Sequence, residues 1–165
     1  ATKSTTLMNK SEVIRKIIEA LRCEFETYIR AAKFSYAEAT AEENRAENKY
    51  DTRGLEASYL AAGQANKVAE IERSIEAFRE MEGMDLSDEP IAVGALVELR
   101  QNDCTNHFFI GSSAGGTEVN VGGTEILVIT LESPLGENLA GKRAGEEFGL
   151  ILAGRKQSVE VIDVR

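Results

Sequence analysis

Two segments of this chain carry apolar residues at alternating spacings of three and four, a pattern that leaves little choice of local fold. In the first, from about Ser11 to Thr40, the positions are Ile14, Ile18, Leu21, Phe25, Tyr28 and Ala32. In the second, from about Arg45 to Met81, they are Ala61, Gln64, Val68, Ile71, Ile75 and Phe78. Each is a seam of period 3.5, the signature of helices that wrap around one another. Two seams of similar length joined by a short link predict an antiparallel helical hairpin. Ser11 ahead of Val13 and Ile14 predicts the first start. Gly54 and Gly63 each weaken the second helix by roughly 1 kcal/mol relative to Ala, and Gly83 is expected to end it.

Between the seams runs "ENRAENKYD", Glu43 to Asp51. A plain helix–helix turn needs two to five residues and usually a Gly or Pro; this stretch has neither. Asn44 followed by Glu47 is an N-cap and N3 pair, a capping box for the second helix. That pairing leaves the other charges unexplained. Glu43, Glu47 and Asp51 are spaced four apart, and so are Arg45, Lys49 and Arg53. In a helix the two sets form an acidic and a basic edge about 200° apart. Like charges at i,i+4 cost a few tenths of a kcal/mol per pair. Such a cost at the end of a rod suggests that the tip meets something. A carboxylate cluster there suits Mg²⁺, an oxygen-seeking ion that keeps several waters, and it binds weakly unless a partner completes the site.

"GMDLSDEP", Gly83 to Pro90, reads as a linker, and after it the pattern becomes short β-type runs. Candidate strands are Ala95 to Leu99, His107 to Gly111, Glu125 to Leu131, Glu147 to Leu152 and Ser158 to Val164. Turn signals separate them: Gln101-Asn102-Asp103, Gly115-Gly116, Gly122-Gly123 and Ala153-Gly154-Arg155. Pro134 to about Ala140 is expected as one short helix after the cap-like Ser133. The Gly-rich run Gly111 to Gly123 lacks the Gly-Lys-Ser/Thr ending of a phosphate loop and is read as a flexible hairpin connection. The organisation is thus a leader over 1–10, disordered and Thr-rich, with Met8 a candidate original start; a hairpin over 11–82 with its tip near 41–51; a linker over 83–90; and a β-rich domain over 91–165.

The 165 residues suffice for one domain or two small ones. A net charge of −9 argues against general binding to nucleic acid or anionic membranes. Cys23 and Cys104 lack metal-type spacing and read as free cytosolic thiols. His107 is the only histidine, so nothing supports a catalytic triad or a structural zinc site. No apolar run reaches transmembrane length.

At this point the chain resembles a family. A long helical hairpin with an acidic tip, a short linker and a small β-rich domain looks like the bacterial Gre transcription elongation factors. Their tip reads roughly D-x-x-E-N with a Tyr nearby, and the matching residues are Asn44, Glu47, Asn48 and Tyr50. "VITLESPLGENLAGKRAGEEF" is similar to the family's strand, Ser-Pro, short helix, Gly-Lys and Gly-acidic sequence, carried by Ser133, Pro134, Leu135, Leu139, Gly141, Lys142, Gly145 and Glu146.

The resemblance covers about Ser11 to Arg165. It implies an α+β chain: an N-terminal antiparallel coiled-coil hairpin followed by a small FKBP-like domain. It also implies a cytoplasmic monomer that is not an enzyme itself. The second domain would dock on RNA polymerase beside its secondary channel, with Ser133, Pro134, Leu135 and Gly136 as the contact patch. The hairpin would enter the channel, where Asn44 and Glu47 assist the polymerase active centre and Asn48 and Tyr50 support the tip. The protein would have no cofactor of its own. It would share a second Mg²⁺ with the polymerase, with Glu47 and Glu43 as ligands there, and that metal would activate the water that cleaves backtracked RNA. The RNA 3′ end is then met indirectly, and any weak contact with DNA or RNA comes through the polymerase complex.

Two departures stand out. The family's tip Asp aligns with Asn44, a neutral amide and a poorer Mg²⁺ ligand, with Glu42, Glu43 and Asp51 as candidate substitutes. The Tyr comes one residue early, a turn of about 100° on a helix. Two other readings stay open: a channel-binding regulator that does not stimulate cleavage or opposes it, and a coiled-coil adaptor for an unrelated partner. An FKBP-like shape does not by itself bring prolyl isomerase activity.

Overall fold

The computed structural model describes residues 8–45 and 53–165, with side chains described for 8–31, 33, 34, 37, 38 and 63–165. Two long helices come first, α1 (Lys10–Arg45) and α2 (Arg53–Glu80). They are followed by β1 (Leu96–Gln101), β2 (Cys104–Ile110), β3 (Glu118–Val121), β4 (Thr124–Ile129), α3 (Pro134–Leu139), β5 (Glu147–Leu152) and β6 (Arg155–Val164).

The start of α1 is set by Asn9. Its Oδ1 accepts the Ser11 N–H at 3.0 Å, and its carbonyl accepts from Glu12 and Val13. This is a standard N-cap, so the helix begins inside the stretch read as leader; residues 1–7 lie outside the described residues. At its other end α1 continues through Arg45. Asn44, expected as an N-cap, is instead helical in the last turn of α1; Glu47, its expected capping partner, lies outside the described residues. Helix propensity explains the overrun. Ala41, Glu42, Glu43 and Arg45 are good helix formers, and no Gly or Pro stops them. The second helix ends at Glu80, and Gly83 sits in the following turn at a φ of +82°.

Residues 21–76 of the two helices form one compact unit. Leu21, Ile71 and Ile75 are buried in it, with Phe25, Tyr28, Gln64 and Val68 half-buried. Helix α1 has 36 residues and is about 54 Å long. Packed side by side in one unit, the two helices must run antiparallel, because the seven residues between them reach at most about 28 Å and a parallel start would need about 54 Å. That is the hairpin the two seams imply.

The second unit contains residues 77–165 together with residues 1–20. Its sheet has six strands in the order β3-β4-β2-β1-β6-β5, with only β2 and β4 parallel. Three tight two-residue hairpins join β1–β2, β3–β4 and β5–β6. Their central pairs, Asn102-Asp103, Gly122-Gly123 and Ala153-Gly154, all have positive φ, the geometry that matches strand twist. The Gly-rich run read as a flexible connection therefore contains a strand. Val119 and Val121 alternate with Glu118 and Asn120, and β3 pairs antiparallel with β4. The strands around the other hairpins are also longer than the apolar runs alone suggest, because pairing next to a tight turn carries polar residues such as Cys104 and Arg155 into the ladder.

Each face of the sheet is covered. On one, Val97, Leu99, Ile110, Ile129, Val159 and Val161 pack with Leu139 of α3 and with Ile91 and Ala95. On the other, Leu96, Phe109, Ile126 and Val128 are buried. There Phe78 from the end of α2 meets the ring of Phe109 with centroids 5.8 Å apart. Gly111 makes room for that ring: a Cβ on it would lie 2.9 Å from the Phe78 ring and 2.7 Å from the Ser113 carbonyl oxygen. Val13, Ile14 and Ile17 of α1 are fully buried in the same unit, which explains why α1 carries two adjacent apolar rows near its start and a single seam beyond. The Lys10 ammonium donates to the Met84 carbonyl at 2.8 Å, and burial lowers its pKa. The fold is thus the α+β arrangement expected, a helical hairpin followed by a small mixed-sheet domain of FKBP-like type.

Candidate functional site

Three places gather chemistry. The first is the end of the hairpin. Glu42, Glu43 and Asn44 occupy the last turn of α1. The side chains of these three residues are not among those described. Glu47, Asn48, Tyr50 and Asp51 lie outside the described residues, so the geometry of the tip carboxylates stands only as the sequence orders them.

The second is α3 and the turn before it. Ser133 is its N-cap: Oγ accepts the Gly136 N–H at 3.0 Å and donates to the Thr130 carbonyl at 2.7 Å. Pro134 fills the first helical position, where no N–H is needed. Leu135 is half-buried against the sheet core, and Gly136 is buried. A Cβ on Gly136 would lie 1.9 Å from the Thr130 carbonyl oxygen. Of the four residues expected to form a contact patch, Ser133, Leu135 and Gly136 thus have clear internal work. Pro134 is the exposed one, flanked by exposed Glu132 and Glu137.

The third was not apparent from the sequence. Direct pairing across β2, β1 and β6 sets His107 beside Glu98 and Glu98 beside Asp163. A bulge in β6 at Ile162 restores Asp163 to this row. With Met8, Leu96, Gly122, Thr124 and Arg165 these residues line a cavity of about 320 Å³. Arg165 Nε donates to Asp163 Oδ2 at 2.6 Å, and its Nη1 donates to the Met8 carbonyl at 3.2 Å. His107 Nε2 and Glu98 Oε2 are 3.9 Å apart, too far for a hydrogen bond. Among the described residues no cluster of His, Cys, Asp and Glu is suited to a metal ion, and no helix is long and apolar enough to cross a membrane.

No family model and no curated protein matches the chain. Among solved structures, it is similar to the GreA factor homolog 1 (Gfh1) protein of Thermus thermophilus at 23% identity, covering 90% of this chain and 94% of that one, with a TM-score of 0.37. It is similar to Thermus aquaticus Gfh1 at 22% identity, covering 89% and 92%, with a TM-score of 0.39. It is also similar to the elongation factor GreA/GreB from Nitrosomonas europaea at 17% identity, covering 78% and 92%, with a TM-score of 0.35. Its structural neighbours are Gre-type factors.

Proposed function

We propose that this protein is a transcription elongation factor of Gre type. It binds RNA polymerase, enters the secondary channel with its hairpin and modulates cleavage of backtracked RNA. The observation that carries the reading is where the motif residues fall. Glu42, Glu43 and Asn44 end the first long helix, and Glu47, Asn48, Tyr50 and Asp51 follow them in the sequence. The Ser-Pro-capped helix of the second motif stands in the mixed-sheet domain. The protein works as an accessory: its carboxylates are lent to the polymerase's metal site, where two ions activate water for phosphodiester hydrolysis.

Asn44 favours a second form of the same reading, a channel-binding regulator without efficient cleavage. Its amide oxygen carries no charge, and a neutral ligand recruits Mg²⁺ poorly compared with a carboxylate. The two forms separate in a cleavage assay on purified backtracked complexes with wild type, Asn44→Asp and Glu47→Ala. Cleavage that rises with Asn44→Asp and falls with Glu47→Ala assigns the metal role to these positions. Strong wild-type cleavage untouched by Glu47→Ala moves that role to Glu42 and Glu43. Binding without cleavage by any variant selects the regulator. Failure of core RNA polymerase to co-purify with the tagged protein overturns the reading and leaves the coiled-coil adaptor.

A further inference from the structure

The two edges of the sheet are built differently. At one edge, β3 is only four residues long and carries Glu118 and Asn120, a short polar edge of the kind that discourages pairing with other chains. At the other, β5 is six residues long and reads Glu-Phe-Gly-Leu-Ile-Leu. It contains no Pro and no Lys. Ile151 is 73% exposed and Leu152 is 42% exposed. One side of β5 is hydrogen-bonded to β6, and its other side presents an unpaired row of N–H and C=O groups. An exposed apolar edge strand is a template for another strand.

The charges around β5 indicate which strand. Glu147 opens it, and Arg155 and Lys156 stand at the far end of the hairpin. None of these three has an ion-pair partner among the described residues. The Lys156 side chain leans across β5: a Cβ built on Gly149 would lie 2.6 Å from its Cε. A strand that is acidic at its start, apolar through its middle and basic beyond its end complements itself when a copy runs antiparallel, as a two-fold interface requires.

We propose that the free edge of β5 is a self-association surface on which a second copy of this chain pairs antiparallel, β5 to β5. With the two-fold axis at Gly149, Glu147 faces Ile151 of the partner subunit, within reach of Lys156 of the partner subunit. Phe148 and Leu150 meet on the core side, extending the apolar layer. This register keeps both copies' core faces on the same side of one continuous twelve-stranded sheet, because paired residues in antiparallel strands share a face. A six-residue strand pair is smaller than the roughly 800 Å² per partner of a standard interface. The association is therefore weak and reversible, with a dissociation constant on the order of tens to hundreds of micromolar.

The test is sedimentation velocity of the full chain from low micromolar to about 500 µM, a range set by that expected weakness. Wild type is expected to shift from monomer to dimer as concentration rises. Ile151→Lys places a charge on the apolar edge and is expected to weaken the dimer at least about tenfold. Glu147→Lys is expected to weaken it roughly fivefold, and the charge swap Glu147→Lys with Lys156→Glu to restore most of the loss. Glu147, Ile151 and Lys156 are all exposed, so calorimetric melting is expected to show each variant folded. A wild type that stays monomeric throughout overturns the proposal. So does a dimer that Ile151→Lys leaves intact. A monomeric wild type whose Ile151→Lys variant loses affinity for core RNA polymerase assigns the edge to another protein, and equally overturns self-association.

Discussion

Gly136→Ala adds a methyl group where the structure has no space for one. Gly136 lies inside α3, where Ala is the better helix former by about 1 kcal/mol. Propensity alone therefore predicts stabilisation. Packing predicts the reverse. The new Cβ would stand 1.9 Å from the Thr130 carbonyl oxygen, 2.9 Å from the Leu131 Cα and 2.9 Å from the Ser133 Oγ. Two of these are backbone atoms, so relief requires the turn before α3 to retreat by about 1 Å or more. That shift also strains the cap, because Thr130 and Gly136 are the two partners of Ser133 Oγ. Overpacking of this kind costs about 1–3 kcal/mol, and loss of a Ser N-cap about 1 kcal/mol. Net of the propensity gain, a loss of about 1–3 kcal/mol is expected, or roughly 5–15 °C in melting temperature for a unit of this size. Gly63→Ala is the matched control: it lies in α2, is exposed, and has nothing within 4 Å of its Cβ position. That substitution is expected to stabilise by about 0.5–1 kcal/mol. The assay is differential scanning calorimetry. All four tyrosines fall between 28 and 59 and there is no tryptophan, so intrinsic fluorescence would not report on the sheet. A Gly136→Ala protein that melts at or above the wild-type temperature would refute the reasoning.

Two further outcomes are expected. Phe78→Ala removes a fully buried ring that touches Phe109 and is expected to cost about 3–5 kcal/mol, read by calorimetry; a loss under about 1 kcal/mol would mean that α2 does not seal that face of the sheet. Asp85 has its pKa held below the usual 3.8, first by a side-chain hydrogen bond from Ser87 and then by the Ser87 backbone N–H at 2.9 Å. The folded carboxyl binds a proton less readily than the unfolded one, so its stabilisation is complete above pH 3.8 and disappears as the pH falls through the folded value. The stability difference between wild type and Asp85→Asn should accordingly shrink as acid is added below pH 3.8, and a difference that stays constant to pH 2 would show that this hydrogen bonding does not favour the charged form.

What the sequence determined by itself was local. The seam through Ile14, Ile18 and Leu21 and the seam through Ile71, Ile75 and Phe78 need only neighbours three and four residues away, and both helices follow from them. Ser133 and Pro134 likewise set the start of α3 within one turn. The Asn44 cap signal lies among strong helix formers, and the first helix continues through it. What only the tertiary structure decided was pairing. Val119 and Val121 form a strand because β4 lies alongside. The parallel pairing of β2 with β4 leaves no sequence mark. Glu98, His107 and Asp163 line one cavity because the β1–β2 hairpin aligns in register with β6, about fifty residues further along the chain, and a single bulge restores Asp163 to the row. Which strand becomes the unguarded edge is decided in the same way. The β5 run Glu-Phe-Gly-Leu-Ile-Leu would serve equally well as a central strand; its place beside β6 alone leaves half its backbone unpaired, because strand order follows from the burial of the whole sheet and not from the content of any one strand.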